Sequence, residues 1–164
     1  CSSDLFLSHY FLWKKCVELN EPILVFEYDA LMINPLPENI LDLFNDYLNL
    51  DFARHLYLSD KEKYESKLIR SNEIKVTKLE VECSSKNSFK FINKTHIKGA
   101  FGYLIKPAGA NKIINGIKHD GILPADVAIN LKYCDLYYTE PSVVRLNPTM
   151  LSNLIKYSHT KGKS

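Results

Sequence analysis

The sequence predicts a single α/β domain over residues 1–164, and three observations support this class. The chain has 164 residues, of which 46% are hydrophobic, so it can bury one ordinary core but is short for two full domains. An amphipathic helical pattern opens it, and an apolar run typical of a strand comes next. Helical and strand patterns then continue to alternate, as they do in α/β sheets.

The first predicted element is a helix over residues 4–19, whose apolar residues recur every three or four positions. Pro22 lies just beyond its predicted end. The run over residues 23–30 is predicted to be a buried strand. A second helix is predicted after Pro35, with an apolar face formed by Ile40, Leu41, Phe44, Tyr47 and Leu48.

The middle of the chain is predicted to be a variable insertion. Residues 61–98 are rich in Lys, Ser, Asn and Glu and have no clear period. Order is expected to return with a strand over residues 99–105 and a helix from Pro107. A short helix near residue 126 and late strands near residues 135–138 and 142–144 complete the pattern.

Two carboxylates one residue apart, Glu27 and Asp29, end the first apolar run. In a strand, the period of two places both on one face and Tyr28 on the other. Two acids at the carboxyl end of a buried strand form a hard oxygen site, suited to Mg²⁺ or Mn²⁺ carrying a substrate diphosphate. This favours nucleotide-sugar chemistry over the alternative, a solvated pair that caps the next loop.

Asp126 has two interpretations of about equal weight. An acid that follows a proline and precedes an apolar helical run is typical of a helix N-cap. As a catalytic base, Asp126 would instead take the proton from an acceptor hydroxyl that attacks an anomeric carbon from the face opposite the diphosphate.

Gly102 and Tyr103 lie in the strand that is predicted to line the donor pocket. The glycines of this strand do not form a phosphate-binding glycine motif, but they would let a ligand or another backbone approach closely. Tyr103 could stack on a sugar, although a core tyrosine is the commoner case. Ser8 and His9 are adjacent on a helix and do not face each other, which favours a packing or hydrogen-bonding role over a nucleophile–base pair.

The chain offers little sign of nucleic-acid binding, secretion or a membrane span. Its formal net charge is +2 and its lysines are scattered. No apolar run approaches the roughly 20 residues of a membrane-spanning helix, and no leader is visible. A cytoplasmic location is therefore expected, and a peripheral contact at the inner membrane face is left open. The widely spaced cysteines predict reduced, structural thiols: Cys1, Cys16, Cys83 and Cys134.

Three blocks in order resemble glycosyltransferase family 25, which includes lipooligosaccharide galactosyltransferases and collagen galactosyltransferase domains. The family patterns run roughly S-H-x-x-L-W, P-x-L-I-L-E-D-D-A, and G-x-x-G-Y-x-I with a later G-A and P-x-D. Tyr28 replaces the middle acid of the second pattern, and Asp4-Leu5 replaces a common Gly-Cys before the first. The matching segments are 6–13, 22–30, 99–105 with Gly109-Ala110, and 123–126.

The resemblance implies a GT-A-like fold, a divalent metal at Glu27 and Asp29, and inverting transfer of a hexose, expected to be galactose. The donor would be a UDP-sugar and the acceptor a saccharide or lipid-linked saccharide of lipopolysaccharide, lipooligosaccharide or another surface glycan. The sequence starts at Cys1 and lacks the family's first strand and helix, so it is expected to lack the first β-α unit.

Two other functions remain in view from the sequence. A non-catalytic relative could act as a glycan-binding or structural module, since Tyr28 departs from the family's acidic pattern. A metal-dependent phosphohydrolase would use the same acids, but no second cluster of His and Asp is visible to hold another metal.

Overall fold

The computed structural model describes residues 2–52, 61–80, 96–97, 99–100 and 102–147. In this part of the chain, helices and strands alternate around a central sheet. The elements in chain order are α1 Ser2–Leu19, β1 Ile23–Phe26, β2 Ala30–Met32, β3 Tyr47–Asn49, α2 Lys61–Lys67, β4 Lys75–Lys78, β5 Gly102–Ile105, α3 Pro107–Asp120, α4 Ala125–Ala128, β6 Leu136–Glu140 and β7 Val144–Leu146.

The main sheet has five strands in the order β1-β5-β3-β6-β4. β5 is antiparallel to both of its neighbours, β3 and β6 are parallel, and β4 is antiparallel to β6. β1, β3 and β6 therefore run in the same direction, and their carboxyl ends meet at one edge of the sheet, where sites in α/β sheets commonly lie. β2 and β7 form a second, two-stranded sheet. This mixed α/β architecture fits a Rossmann-like fold.

Alternating residues of β3 and β5 pack into two cores on opposite faces of the sheet. Tyr47, Tyr103 and Ile105 belong to the core that packs against α1, α3 and α4. Leu48 and Leu104 belong to the core shared with β7. Because both faces are covered, these central strands are buried along their whole length.

The helices with the clearest period are confirmed. α1 covers the predicted segment, and α3 begins at Pro107 as predicted. α3 also explains its own glycine, because a Cβ on Gly109 would lie 2.5 Å from the carbonyl oxygen of Asp46. The helix approaches that backbone too closely for any side chain.

A buried carboxylate fastens α3 to the sheet. The Asp46 side chain accepts hydrogen bonds from Lys112 Nζ at 2.6 Å and from the Asp135 amide at 2.9 Å. The Asp46 carbonyl accepts from the Lys106 amide at 2.9 Å. Hydrogen bonding to Asp46 also raises the pKa of Lys112. Asp46 thus ties the start of α3 to β6, a role that the sequence pattern did not indicate.

The second predicted helix is wrong. Its residues form only a 3₁₀ turn at Ile40–Asp42, followed by β3. Tyr47 and Leu48 are both buried, but in cores on opposite faces of the sheet. The apolar residues are spaced as on one face of a helix, but they belong to a turn and to a strand that is buried on both faces. Periodicity alone does not distinguish such a segment from a helix.

The prediction of a buried first strand is also wrong. β1 lies at an edge of the sheet, and Leu24 and Phe26 are 43% and 42% exposed. The strand ends at Phe26, before the two carboxylates. β1 is thus an apolar strand with one covered face, where Val25 is buried.

The predicted insertion over residues 61–98 is only partly described. β4 lies within it and pairs with β6, so these four residues are part of the main sheet. The late strands are confirmed as β6 and β7, shifted by one or two residues from the predicted positions.

The two described cysteines, Cys16 and Cys134, are free and buried, as predicted for structural thiols. Burial raises the pKa of Cys134 to about 12, so its thiol stays protonated. Cys1 and Cys83 lie outside the described residues. No helix in the described part of the chain is both long and apolar enough to cross a membrane.

Gly109→Ala should destabilise the protein by about 1–3 kcal/mol, because the added methyl overlaps the Asp46 backbone. Urea unfolding measures the difference. Alanine is the better helix former by about 1 kcal/mol, so equal or higher stability would show that α3 moves away without cost. Asn115→Ala is the control, since Asn115 is exposed on the same helix.

Candidate active site

Glu27 follows β1 directly and begins a tight turn. The Ala30 amide donates to the Glu27 carbonyl at 3.0 Å, which places Tyr28 and Asp29 at the two central positions of the turn. The Asp29 carbonyl accepts from the Asn147 amide at 2.7 Å, just beyond β7. The prediction that Glu27 and Asp29 share one strand face is therefore wrong, because neither lies in a strand.

The Glu27 carboxylate points back toward α1. Its Oε1 atom lies 3.2 Å from Nε2 of His9, and the Glu27 side chain is 21% exposed. Tyr28, the residue between the two acids, is 74% exposed and directed into solvent. The turn therefore separates a half-buried acid held by the protein from an exposed aromatic ring.

Tyr103 is a core tyrosine, as in the second of its two interpretations. It is completely buried on β5, and its hydroxyl accepts from Trp13 Nε1 at 3.0 Å and lies 2.8 Å from His9 Nδ1. Burial, followed by the field of Tyr47, raises the pKa of Tyr103 well above its usual value. The ring thus has no exposed face on which a sugar could stack.

Gly102 is buried beside Tyr103 and allows a close contact within the protein. A Cβ at Gly102 would lie 3.1 Å from a methyl carbon of Val144 on β7. The close approach predicted for this glycine is therefore made by a neighbouring side chain in the second core.

Asp126 is the second residue of α4 and is half-buried. Pro124, not Asp126, occupies the N-cap position, so the N-cap interpretation is wrong. An acid in the first turn still interacts favourably with the helix amides.

Tyr47, on β3, is a second buried tyrosine in the same core as Tyr103. It is completely buried, and its ring lies 5.1 Å from that of Tyr103. Burial raises the pKa of Tyr47, the Asn49 side chain lowers it, and Cys134, Asp126 and Glu27 raise it by smaller amounts.

Sequence reasoning missed Tyr47 and Asn49 because it placed Tyr47 on a helix and did not consider Asn49. His9 was correctly separated from Ser8, which is exposed while His9 is buried, but its contact with Glu27 was not predicted. The four-residue spacing of His9 and Trp13 was the available signal, since it places two polar aromatic side chains on one buried helix face.

The acids could hold a metal only together with a ligand. No group of three His, Cys, Asp or Glu side chains in the described ranges is arranged to bind an ion. Glu27 offers hard carboxylate oxygens at the edge where three parallel strands end, and Asp29 is two residues away. One or two carboxylates suit Mg²⁺ that shares its coordination with substrate phosphates and water.

These features fit a Rossmann-like domain in which Glu27 lies at the carboxyl end of β1, where β3 and β6 also end. Comparison with family models then matches residues 6–129 to glycosyltransferase family 25, described as LPS biosynthesis proteins. The match spans 124 of the 164 residues, so the chain belongs to this glycosyltransferase family. Searches of curated proteins and of solved structures gave no significant match.

Loss of the hydroxyl should lower the free energy of unfolding at Tyr103 but not at Tyr47. Tyr103→Phe should cost about 2 kcal/mol, because it leaves Trp13 Nε1 and His9 Nδ1 without their partner. Tyr47→Phe should be close to neutral, because the Tyr47 hydroxyl has only a weak interaction with the Asn49 side chain and lies outside ordinary hydrogen-bonding geometry in the described part of the chain. Urea unfolding of both variants decides, and equal losses would contradict this account.

Proposed function

We propose that this chain transfers a hexose, expected to be galactose, from a UDP-sugar to a saccharide acceptor in lipopolysaccharide, lipooligosaccharide or other surface-glycan synthesis. The observation that carries the proposal is the position of Glu27 at the carboxyl end of β1, where His9 Nε2 lies 3.2 Å from its Oε1. Asp126 lies on α4, which packs into the same core as α1. A transferase needs one group near the departing diphosphate and another near the attacking hydroxyl. Family membership supports assigning these roles to the two acids.

Glu27 and Asp29 are proposed to hold the divalent ion, Mn²⁺ or Mg²⁺, with the donor diphosphate. When bound, such an ion would neutralise the negative charge that builds up on the departing diphosphate. Glu27 supplies a carboxylate whose Oε1 is fixed by His9. Asp29 lies at the second central position of the turn, whose backbone is fastened by Asn147.

Asp126 is the proposed base. It would accept the acceptor hydroxyl proton while that oxygen forms its bond to the anomeric carbon. The bond from that carbon to the diphosphate oxygen breaks, and the diphosphate leaves with the electron pair. Attack from the opposite face inverts the anomeric centre. The half-buried position of Asp126 in the first turn of α4 supports this role.

We propose that the domain has a GT-A-like fold. The family's first β-α unit would then pack beside β1, at the open edge of the sheet. Among the described residues, the backbone of β1 pairs only with β5, and Leu24 and Phe26 are exposed on the face opposite Val25. A further strand at this edge would pair the open backbone, and a helix connected to it would cover these two side chains. A longer chain with its native preceding sequence should unfold at higher urea concentration if this is correct.

The reaction is proposed to take place in the cytoplasm, with the acceptor at the inner membrane face. An open groove of about 610 Å³ on the outer side of α1 is lined by Ser8, Phe11, Leu12, Lys14, Lys15 and Glu18. Lys15 pairs with Glu18 at 3.2 Å, which leaves Lys14 as the basic side chain without an acidic partner in the groove. This combination suits a weak contact with a lipid-linked acceptor. Flotation with anionic vesicles tests it, and a chain that remains unbound at low salt would contradict it.

Glu27→Gln should weaken binding of UDP in the presence of Mn²⁺ by about tenfold or more. Loss of a residue that only hydrogen-bonds a metal ligand already costs about tenfold in affinity, so loss of a ligand itself should cost at least as much. Calorimetric titration measures the affinity, with and without Mn²⁺. Glu38→Gln is the control, because Glu38 is exposed and lies in the segment after β2. Metal-independent binding, or an unchanged affinity in Glu27→Gln, would contradict the proposed metal site.

Asp126→Asn should slow Mn²⁺-dependent release of UDP from UDP-galactose by about 100-fold or more, the usual contribution of a positioned base. Its affinity for UDP should stay close to that of the unaltered chain. Asp42→Asn, at an exposed acid, is the control. Retention of the full rate would remove Asp126 from the mechanism, and UDP binding without any release would favour the non-catalytic alternative.

A further inference from the structure

His9 is buried among hydrogen-bonding partners and does not itself reach the surface. It is 2% exposed on α1, and its ring stacks on Tyr103 at a centroid distance of 5.7 Å. Its two ring nitrogens have different partners. Nδ1 lies 2.8 Å from the Tyr103 hydroxyl, and Nε2 lies 3.2 Å from Glu27 Oε1.

The partners determine the direction of each hydrogen bond. An indole N–H can only donate, so Trp13 Nε1 donates to the Tyr103 oxygen. Among these side chains, His9 Nδ1 is the acceptor available to the Tyr103 hydroxyl proton. With Nδ1 accepting, Nε2 carries the ring proton and donates it to Glu27. The tautomer with its proton on Nε2 therefore gives each donor of Trp13, Tyr103 and His9 in this set an acceptor.

We infer that His9 is a positioning residue that holds the Glu27 carboxylate in the orientation needed to bind the metal–diphosphate unit. This inference rests on the proposed function of Glu27. The bond from Nε2 engages Oε1, while the Glu27 side chain as a whole stays 21% exposed. Metal-ligating side chains commonly depend on such an outer hydrogen bond for their orientation.

The anchor of this arrangement lies in the core. Trp13 and His9 are four residues apart on α1 and meet the same hydroxyl of β5. Turning the imidazole by about 180° would exchange each ring nitrogen with a ring carbon, so that C–H groups would face both the Tyr103 hydroxyl and the Glu27 carboxylate. The core thus selects the tautomer, and the tautomer orients Glu27.

Two substitutions at His9 separate positioning from packing. His9→Phe keeps a ring against Tyr103 but removes the donor to Glu27, whereas His9→Gln has an amide N–H that can replace Nε2–H. We expect His9→Phe to weaken calorimetric binding of Mn²⁺ and UDP about 10- to 100-fold, as losses of outer metal partners do. His9→Gln should stay within about threefold of the unaltered chain, because it restores that outer bond.

Each outcome of this experiment has a distinct meaning. Unchanged binding in His9→Phe, or an equal loss in a folded His9→Gln, would overturn the positioning role while leaving the proposed function intact. Failure of the unaltered chain to bind Mn²⁺ and UDP would instead overturn the function and the role that rests on it.

A second measurement uses the unaltered chain without metal, so it does not depend on whether a variant folds. Nitrogen-15 NMR of the His9 ring in the metal-free chain reports which nitrogen carries the proton. A proton on Nε2 alone supports the inferred direction of the hydrogen bonds, and a proton on Nδ1 would overturn it.

If His9→Phe does not fold, Tyr103→Phe replaces it in the binding experiment, since loss of the Tyr103 hydroxyl that anchors His9 should also weaken Mn²⁺–UDP binding.

Discussion

The arrangement of α1 against the sheet depends on the burial of one hydroxyl group. A buried hydroxyl group that loses its hydrogen-bond partners costs about 1–3 kcal/mol. Tyr103 has two on α1, Trp13 and His9, so the helix cannot rotate or slide without breaking a buried bond. His9 then carries the constraint to Glu27 at the end of β1. The same set of contacts fixes the helix and orients the carboxylate.

Sequence pattern predicted the elements that bury one face. α1 and α3 are amphipathic, and their spacing was sufficient to find them. It failed for β3, because a strand buried on both faces carries a continuous apolar run that resembles a short buried helix. It also failed for the position of β1, since an edge strand and a central one can have the same composition. The register and order of the strands depend on long-range pairing that local pattern does not contain.

The candidate site was predicted as separate residues and not as an arrangement. Glu27 and Asp126 were selected for their chemical type and for their place in the family patterns. Asp126 lies on the same face of the sheet as α1 because α4 packs into the same core, which no local spacing encodes. Asp29 shows the reverse case: the residue was predicted, but its geometry was not, because the strand ends earlier and a turn follows.

The surroundings of the two acids would suit the divalent ion proposed for Glu27. Burial keeps the phenols of Tyr47 and Tyr103 protonated, and Glu27 raises the pKa of both. No Lys or Arg in the described ranges forms an ion pair with Glu27 or Asp126. Opposite charges beside a low-dielectric core attract each other more strongly than in water. A divalent ion bound at Glu27 would therefore be held by the carboxylate and by the low dielectric of the neighbouring core together.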